Sequence, residues 1–119
     1  SLFMAEELKR NGSRAWVYQF NRVRDDDLAK KYGAFHGAEL PYVFDTHDEW
    51  LPTNKTDKVL TREIQSYWLS FAKTGDPNND GAVVWPEYES SNDSTLVLDD
   101  EIYQRGHESS EICKIMDLF

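Results

Sequence analysis

Residues 15–20, Ala-Trp-Val-Tyr-Gln-Phe, are aromatic and β-branched with almost no polar interruption. That pattern suits a strand covered on both faces in a parallel or mixed sheet. Such a strand demands neighbours, and the chain offers few. One more short strand is predicted over residues 94–98, entered from Ser90-Ser91-Asn92-Asp93 and left through Asp99-Asp100. Two strands, separated by roughly 70 residues, fall short of the three or more with a covered face that a stable sheet requires. Either further strands escape the pattern or these 119 residues are part of a larger sheet.

The helical signals are clearer. In residues 56–74 the apolar side chains Leu60, Ile64, Tyr67, Trp68 and Phe71 recur at i, i+4, i+7, i+8 and i+11, one face of an α-helix. Thr56 or Asp57 is the expected N-cap, and Gly75 followed by Pro77 marks the stop. A short helix is expected over residues 2–9, where Leu2, Met4, Ala5 and Leu8 precede the Asn11-Gly12 stop pair. Residues 21–32 read as a polar connection.

Composition excludes several classes of function. With 39% apolar and 13% aromatic residues the chain carries too much packing material for intrinsic disorder. Its net charge of −9 opposes phosphate backbones, and no stretch interleaves Lys and Arg with aromatics, so nucleic acid is not an expected partner. No apolar run approaches the ~18–20 residues of a membrane span, and residues 1–10 lack the layout of a secretory signal. Compartment is left open between cytoplasmic and secreted, because the three Asn-x-Ser/Thr sequons at Asn11, Asn54 and Asn92 are no more than chance supplies. The lone Cys113 forms no intrachain disulfide, and with His36, His47 and His107 widely scattered a Cys/His metal site is not expected. Residues 87–111 hold eight acids against Arg105 alone, which reads as a solvated face.

Two segments carry chemistry. His36 lies between Gly33 and Gly37, and glycines let the backbone approach a substrate while the imidazole is aimed outward, as a general base requires. Glu39 precedes the apolar run Leu-Pro-Tyr-Val-Phe, a context for a buried structural carboxylate rather than an acid catalyst. The second segment, from Asp76 to Glu87, meets the twelve-residue EF-hand pattern, with oxygen ligands at Asp76, Asn78 and Asp80, Gly81 at position six and Glu87 at twelve. Its exit runs through Pro86 and a polar stretch without helical periodicity. Asp-Pro-Asn-Asn-Asp-Gly is also turn-forming in its own right.

Four blocks in order resemble one family. Residues 33–44, Gly-Ala-Phe-His-Gly-Ala-Glu-Leu-Pro-Tyr-Val-Phe, resemble the catalytic-histidine segment of type B carboxylesterases, which include cholinesterases and bacterial para-nitrobenzyl esterases. Tyr67-Trp68 through Gly75-Asp76-Pro77-Asn78 is similar to the family's long helix and following turn, and Trp85-Pro86-Glu87-Tyr88 to the segment after it. The tail from Ile112 and Cys113 to Phe119 resembles the family's C-terminal stretch, with Met116 where an aromatic is usual.

The resemblance implies an α/β-hydrolase fold, a mixed sheet flanked by helices, of which residues 1–119 form the C-terminal part and are incomplete alone. It implies a Ser, Asp/Glu, His triad in that chain order. His36 is the one member carried over, since no G-x-S-x-G elbow occurs here. Glu39 matches a structural family glutamate, and Cys113 a position that pairs upstream in cholinesterase-like members. The implied function is hydrolysis of a carboxylic ester without cofactor or metal, His36 acting as general base on a serine from elsewhere in the enzyme. Implied partners are the ester substrate and either the missing N-terminal portion or a second copy. The isolated segment is then expected to be inert. The alternative is a non-catalytic calcium-binding or interaction module built on the loop from Asp76 to Glu87.

Overall fold

A computed structural model describes residues 2–106. The elements are α1 (Leu2–Arg10), β1 (Tyr18–Phe20), α2 (Asp27–Tyr32), α3 (Leu40–Phe44), α4 (Lys55–Thr74), β2 (Thr95–Leu98) and β3 (Tyr103–Arg105). The block 112–119, with Cys113, lies outside the described residues, as does His107.

Among the described residues the sheet has three strands in the order β1-β2-β3. β2 and β3 are antiparallel, with Thr95 opposite Arg105, Leu96 opposite Gln104 and Val97 opposite Tyr103. The Leu96 N–H donates to the Val17 carbonyl at 2.9 Å and the Asn21 N–H to that of Leu98 at 2.8 Å. Both bonds step forward along the two strands together, which is parallel pairing, so the sheet is mixed. The expected strand over residues 15–20 is shorter and less covered than its composition suggests. The Ala15 carbonyl accepts from the Tyr88 N–H at 2.8 Å, and Tyr18–Phe20 is exposed at Gln19. The strand buried on both faces is β2, all four of whose residues are buried. β3 was not expected from the polar segment that forms it.

The chain divides into two compact units. In the first, made among the described residues by 2–19, 85–97 and 103–106, Ala5, Ala15 and Tyr88 form a small core flanked by Leu2 and Val17. Trp85 donates from Nε1 to the Val17 carbonyl at 3.0 Å and meets Tyr18 edge-on. Part of the acidic run is paired here rather than solvated. Glu87 accepts from Lys9 at 2.9 Å and Arg14 at 3.0 Å, and Asp93, 6% exposed, accepts from the Tyr88 hydroxyl at 3.2 Å.

The second unit (Phe20–Val84, Leu98–Ile102) is organised on α4. Its buried face is Asp57, Leu60, Thr61, Ile64 and Tyr67, whereas Phe71, expected on that face, is 51% exposed. The helix starts earlier than expected. Asn54 is the N-cap, its side chain accepting from the Asp57 N–H while the Asp57 carboxylate accepts from the Asn54 N–H, a complete capping box. Gly75 ends it in the left-handed region (φ 78°), as expected. α3 packs against α4.

Candidate functional site

Arg22 and Arg24 leave β1 at alternate positions and both are buried. Asp26 then caps α2, accepting from the Ala29 N–H at 2.9 Å, so the expected polar connection contains a helix. Its residues are nowhere fully buried, which is why no apolar period marks it.

α2 ends at Gly33 (φ 64°), and Gly37 (φ 84°) reverses the chain again; both conformations disfavour a β-carbon. Between them His36 is exposed on a turn. The turn is stitched by Ala38 N–H to the Phe35 carbonyl at 3.0 Å and Leu40 N–H to that of Gly37 at 3.1 Å. It runs directly into α3, where Tyr42 and Val43 both donate to the Glu39 carbonyl. Glu39 is half-buried and anchors through this carbonyl, since its side chain makes no capping bond. Among the described residues His36 has no hydrogen-bond partner, and neither a serine nor a carboxylate is brought to it.

Beside the turn lies an open cavity of about 760 Å³, lined by Phe35 and Gly37 on either side of His36 and by Leu28, Tyr32, Leu40 and Trp50. A concave, largely apolar wall with a few charged residues in its lining, among them Arg22, Arg24 and Asp26, suits the apolar part of a small organic molecule.

Beneath α3 is a polar network that sequence reasoning missed. Asp57, 1% exposed, accepts on Oδ1 from Arg22 Nε at 2.9 Å and from the Tyr42 hydroxyl at 2.8 Å, and on Oδ2 from the Asn54 N–H at 2.9 Å. Burial works against the Asp57 carboxylate, but the bonds from Arg22, Asn54 and Tyr42 outweigh it and hold its pKa below the ordinary value. Arg22 also donates to Asp100 at 2.8 Å and Asp25 at 3.2 Å. Arg24 donates to the Pro52 carbonyl at 3.0 Å and to Thr53 Oγ1 at 2.9 Å, and faces His47 Nδ1 at 2.8 Å. The sequence signal was slight: two arginines in alternation directly after a strand, where exposed charge would be the ordinary expectation.

The calcium pattern does not assemble. Asp76 Oδ1 accepts from the backbone and side-chain nitrogens of Asn78, both at 2.9 Å, a turn-capping arrangement, and Glu87 is engaged by Lys9 and Arg14. Among the described residues no three His, Cys, Asp or Glu side chains cluster as a metal would need, and no helix is long and apolar enough to cross a membrane.

Residues 1–115 match a family profile described as "Carboxylesterase family". The chain is 40% identical over 101 residues to the para-nitrobenzyl esterase of Bacillus subtilis (strain 168), covering 81% of this chain and 20% of that protein. It is 34% identical over 89 residues to acetylcholinesterase 1 of Caenorhabditis elegans, covering 69% of this chain and 14% of the other. Among solved structures, a thermophilic PNB esterase superposes with a TM-score of 0.75 at 35% identity, covering 90% of this chain and 22% of that one. The chain thus spans about a fifth of the length of the curated relatives it matches.

Proposed function

Because the chain belongs to the carboxylesterase family, we propose that it forms part of an enzyme hydrolysing carboxylic esters, in which His36 is the general acid–base. The observation that carries the reading is the placement of His36, exposed between two positive-φ glycines, with its neighbours Phe35 and Gly37 lining an apolar cavity. An imidazole so placed is open to a nucleophile and a leaving group approaching from outside the described residues.

In this reading a serine supplied by another part of the intact protein attacks the ester carbonyl. As its Oγ–C bond forms, its proton passes to a ring nitrogen of His36. The same nitrogen returns the proton to the alcohol oxygen as the ester C–O bond breaks, and water then repeats the sequence on the acyl-enzyme. A carboxylate, also from elsewhere, orients the ring, and backbone amides near the serine stabilise the oxyanion. No step calls for a metal or cofactor.

The test is ester cleavage by the intact protein that carries these residues, with a para-nitrophenyl ester as probe. The reading expects turnover that is lost in His36→Ala, and an inert 119-residue polypeptide. Undiminished turnover in His36→Ala contradicts it. The calcium-module alternative gains nothing from the structure, since Glu87, its indispensable twelfth ligand, is held by two cations.

A further inference from the structure

We infer that Tyr42 and Asp57 are a positioning pair for His36, an inference that rests on the acid–base role proposed above. His36 has no hydrogen bond to another described residue, so its place is inherited from the turn that carries it. That turn is continuous with α3 through the bonds at Ala38, Leu40, Tyr42 and Val43. Where α3 sits is therefore where the imidazole sits.

α3 has five residues, too few to hold a helical geometry or a direction by itself. It is tied to α4 through Tyr42. Tyr42 is 1% exposed, its ring against Phe20 at 5.1 Å, perpendicular to His47 at 5.0 Å and beside the Arg24 guanidinium at 5.1 Å. Its hydroxyl donates to Asp57 Oδ1 at 2.8 Å. Gln65 adds only a marginal bond to the Val43 carbonyl, at 3.5 Å. Asp57 is immobile in turn, fixed at the first turn of a 20-residue helix by the capping box and held from the side by Arg22 at 2.9 Å. The chain of constraint runs from the start of α4 through one carboxylate and one phenol to the histidine turn. Reacting groups tolerate little displacement, since a misplacement of about 1 Å costs on the order of 100-fold in rate.

The experiment pairs two substitutions in the intact protein, each removing one buried Tyr–Asp hydrogen bond while keeping the ring. Tyr42→Phe breaks the bond to Asp57. Tyr88→Phe breaks the bond to Asp93 in the other compact unit and serves as the control for lost stability alone. On a para-nitrophenyl ester, Tyr42→Phe is expected to lower kcat by about 10-fold, with KM changed less than about twofold. Tyr88→Phe is expected to leave kcat as it is. Equal losses in the two variants, or an unchanged kcat in Tyr42→Phe, overturn the inference. If either occurs while His36→Ala is inactive, the positioning role fails and the acid–base role stands; an active His36→Ala removes both.

Discussion

Arg24 Nη2 lies 2.8 Å from Nδ1 of His47, and this contact dictates the state of the ring. Arginine only donates, so Nδ1 is the acceptor. On the other side Nε2 is 2.7 Å from Thr61 Oγ1, whose hydroxyl proton is committed to the Asp57 carbonyl at 2.7 Å. Nε2 therefore carries the hydrogen, and His47 is a neutral tautomer wedged between an arginine and a threonine. Of the two histidines within twelve positions of each other, one is locked in a network and the other, His36, is exposed.

Protonating His47 would set an N–H against the Arg24 guanidinium. Burial, then Arg24 and Lys58, push its pKa below 6.5, with Asp45 and Asp57 opposing weakly. A base with a depressed folded pKa binds fewer protons folded than unfolded. Its penalty is absent above the unfolded value and grows as pH falls through about 6.5 toward the lower folded value. Urea midpoints are expected to fall between pH 8 and pH 5.5, and the fall is expected to shrink in His47→Gln. Asp57 and Asp25, whose pKa values are lowered, contribute at more acidic pH, where they lose charge.

Arg22 and Asp57 are a buried pair with side chains 2% and 1% exposed. Arg22→Ala leaves Asp57 with the Tyr42 and Asn54 donors and with Arg24 at 3.8 Å, and is expected to destabilise by about 3 kcal/mol. Replacing the exposed Asp25 instead is expected to cost far less, because water already screens its pairing with Arg22. Denaturant titration of the two variants reads the difference.

The capping box places the start of α4 at Asn54. Asn54→Ala is expected to cost about 1 kcal/mol, and Thr56→Ala within about 0.5 kcal/mol of zero. Thermal unfolding of both separates the observed cap from Thr56, one of the two that the sequence pattern offers.

Calcium is expected to leave the melting temperature of the protein unchanged at millimolar concentration, since Asp76 and Glu87 are engaged elsewhere. A calcium-dependent rise abolished by Asp80→Ala would return the loop to consideration.

What was legible in the sequence follows the strength of local patterning. α4 was plain because Leu60, Ile64 and Tyr67 repeat at helical spacing and are buried, and Gly75 stopped it where expected. Its cap slipped because Asp57 is the third residue of the capping box, not the cap itself. α2 escaped because it buries no residue, and β3 because Tyr103 and Gln104 are exposed, so neither shows an apolar period. The histidine turn was located by its glycines and by family resemblance. The network beneath it joins Arg22, Tyr42 and His47 to Asp57 and Thr61 on one turn of α4, and the 14 to 35 positions between the partners brought to that turn and the helix itself leave no local pattern to read. The acidic run was read as solvated because its counter-charges, Lys9, Arg14 and Arg22, lie far away along the chain.

The central claim is that His36, and not His47, moves the proton. It is tested most directly by kcat/KM of the intact protein on a para-nitrophenyl ester, measured for His36→Ala and His47→Gln side by side. A loss on the order of 10⁴-fold is expected in His36→Ala and activity within about tenfold of the parent in His47→Gln. Full activity in His36→Ala, or abolition confined to His47→Gln, would contradict it.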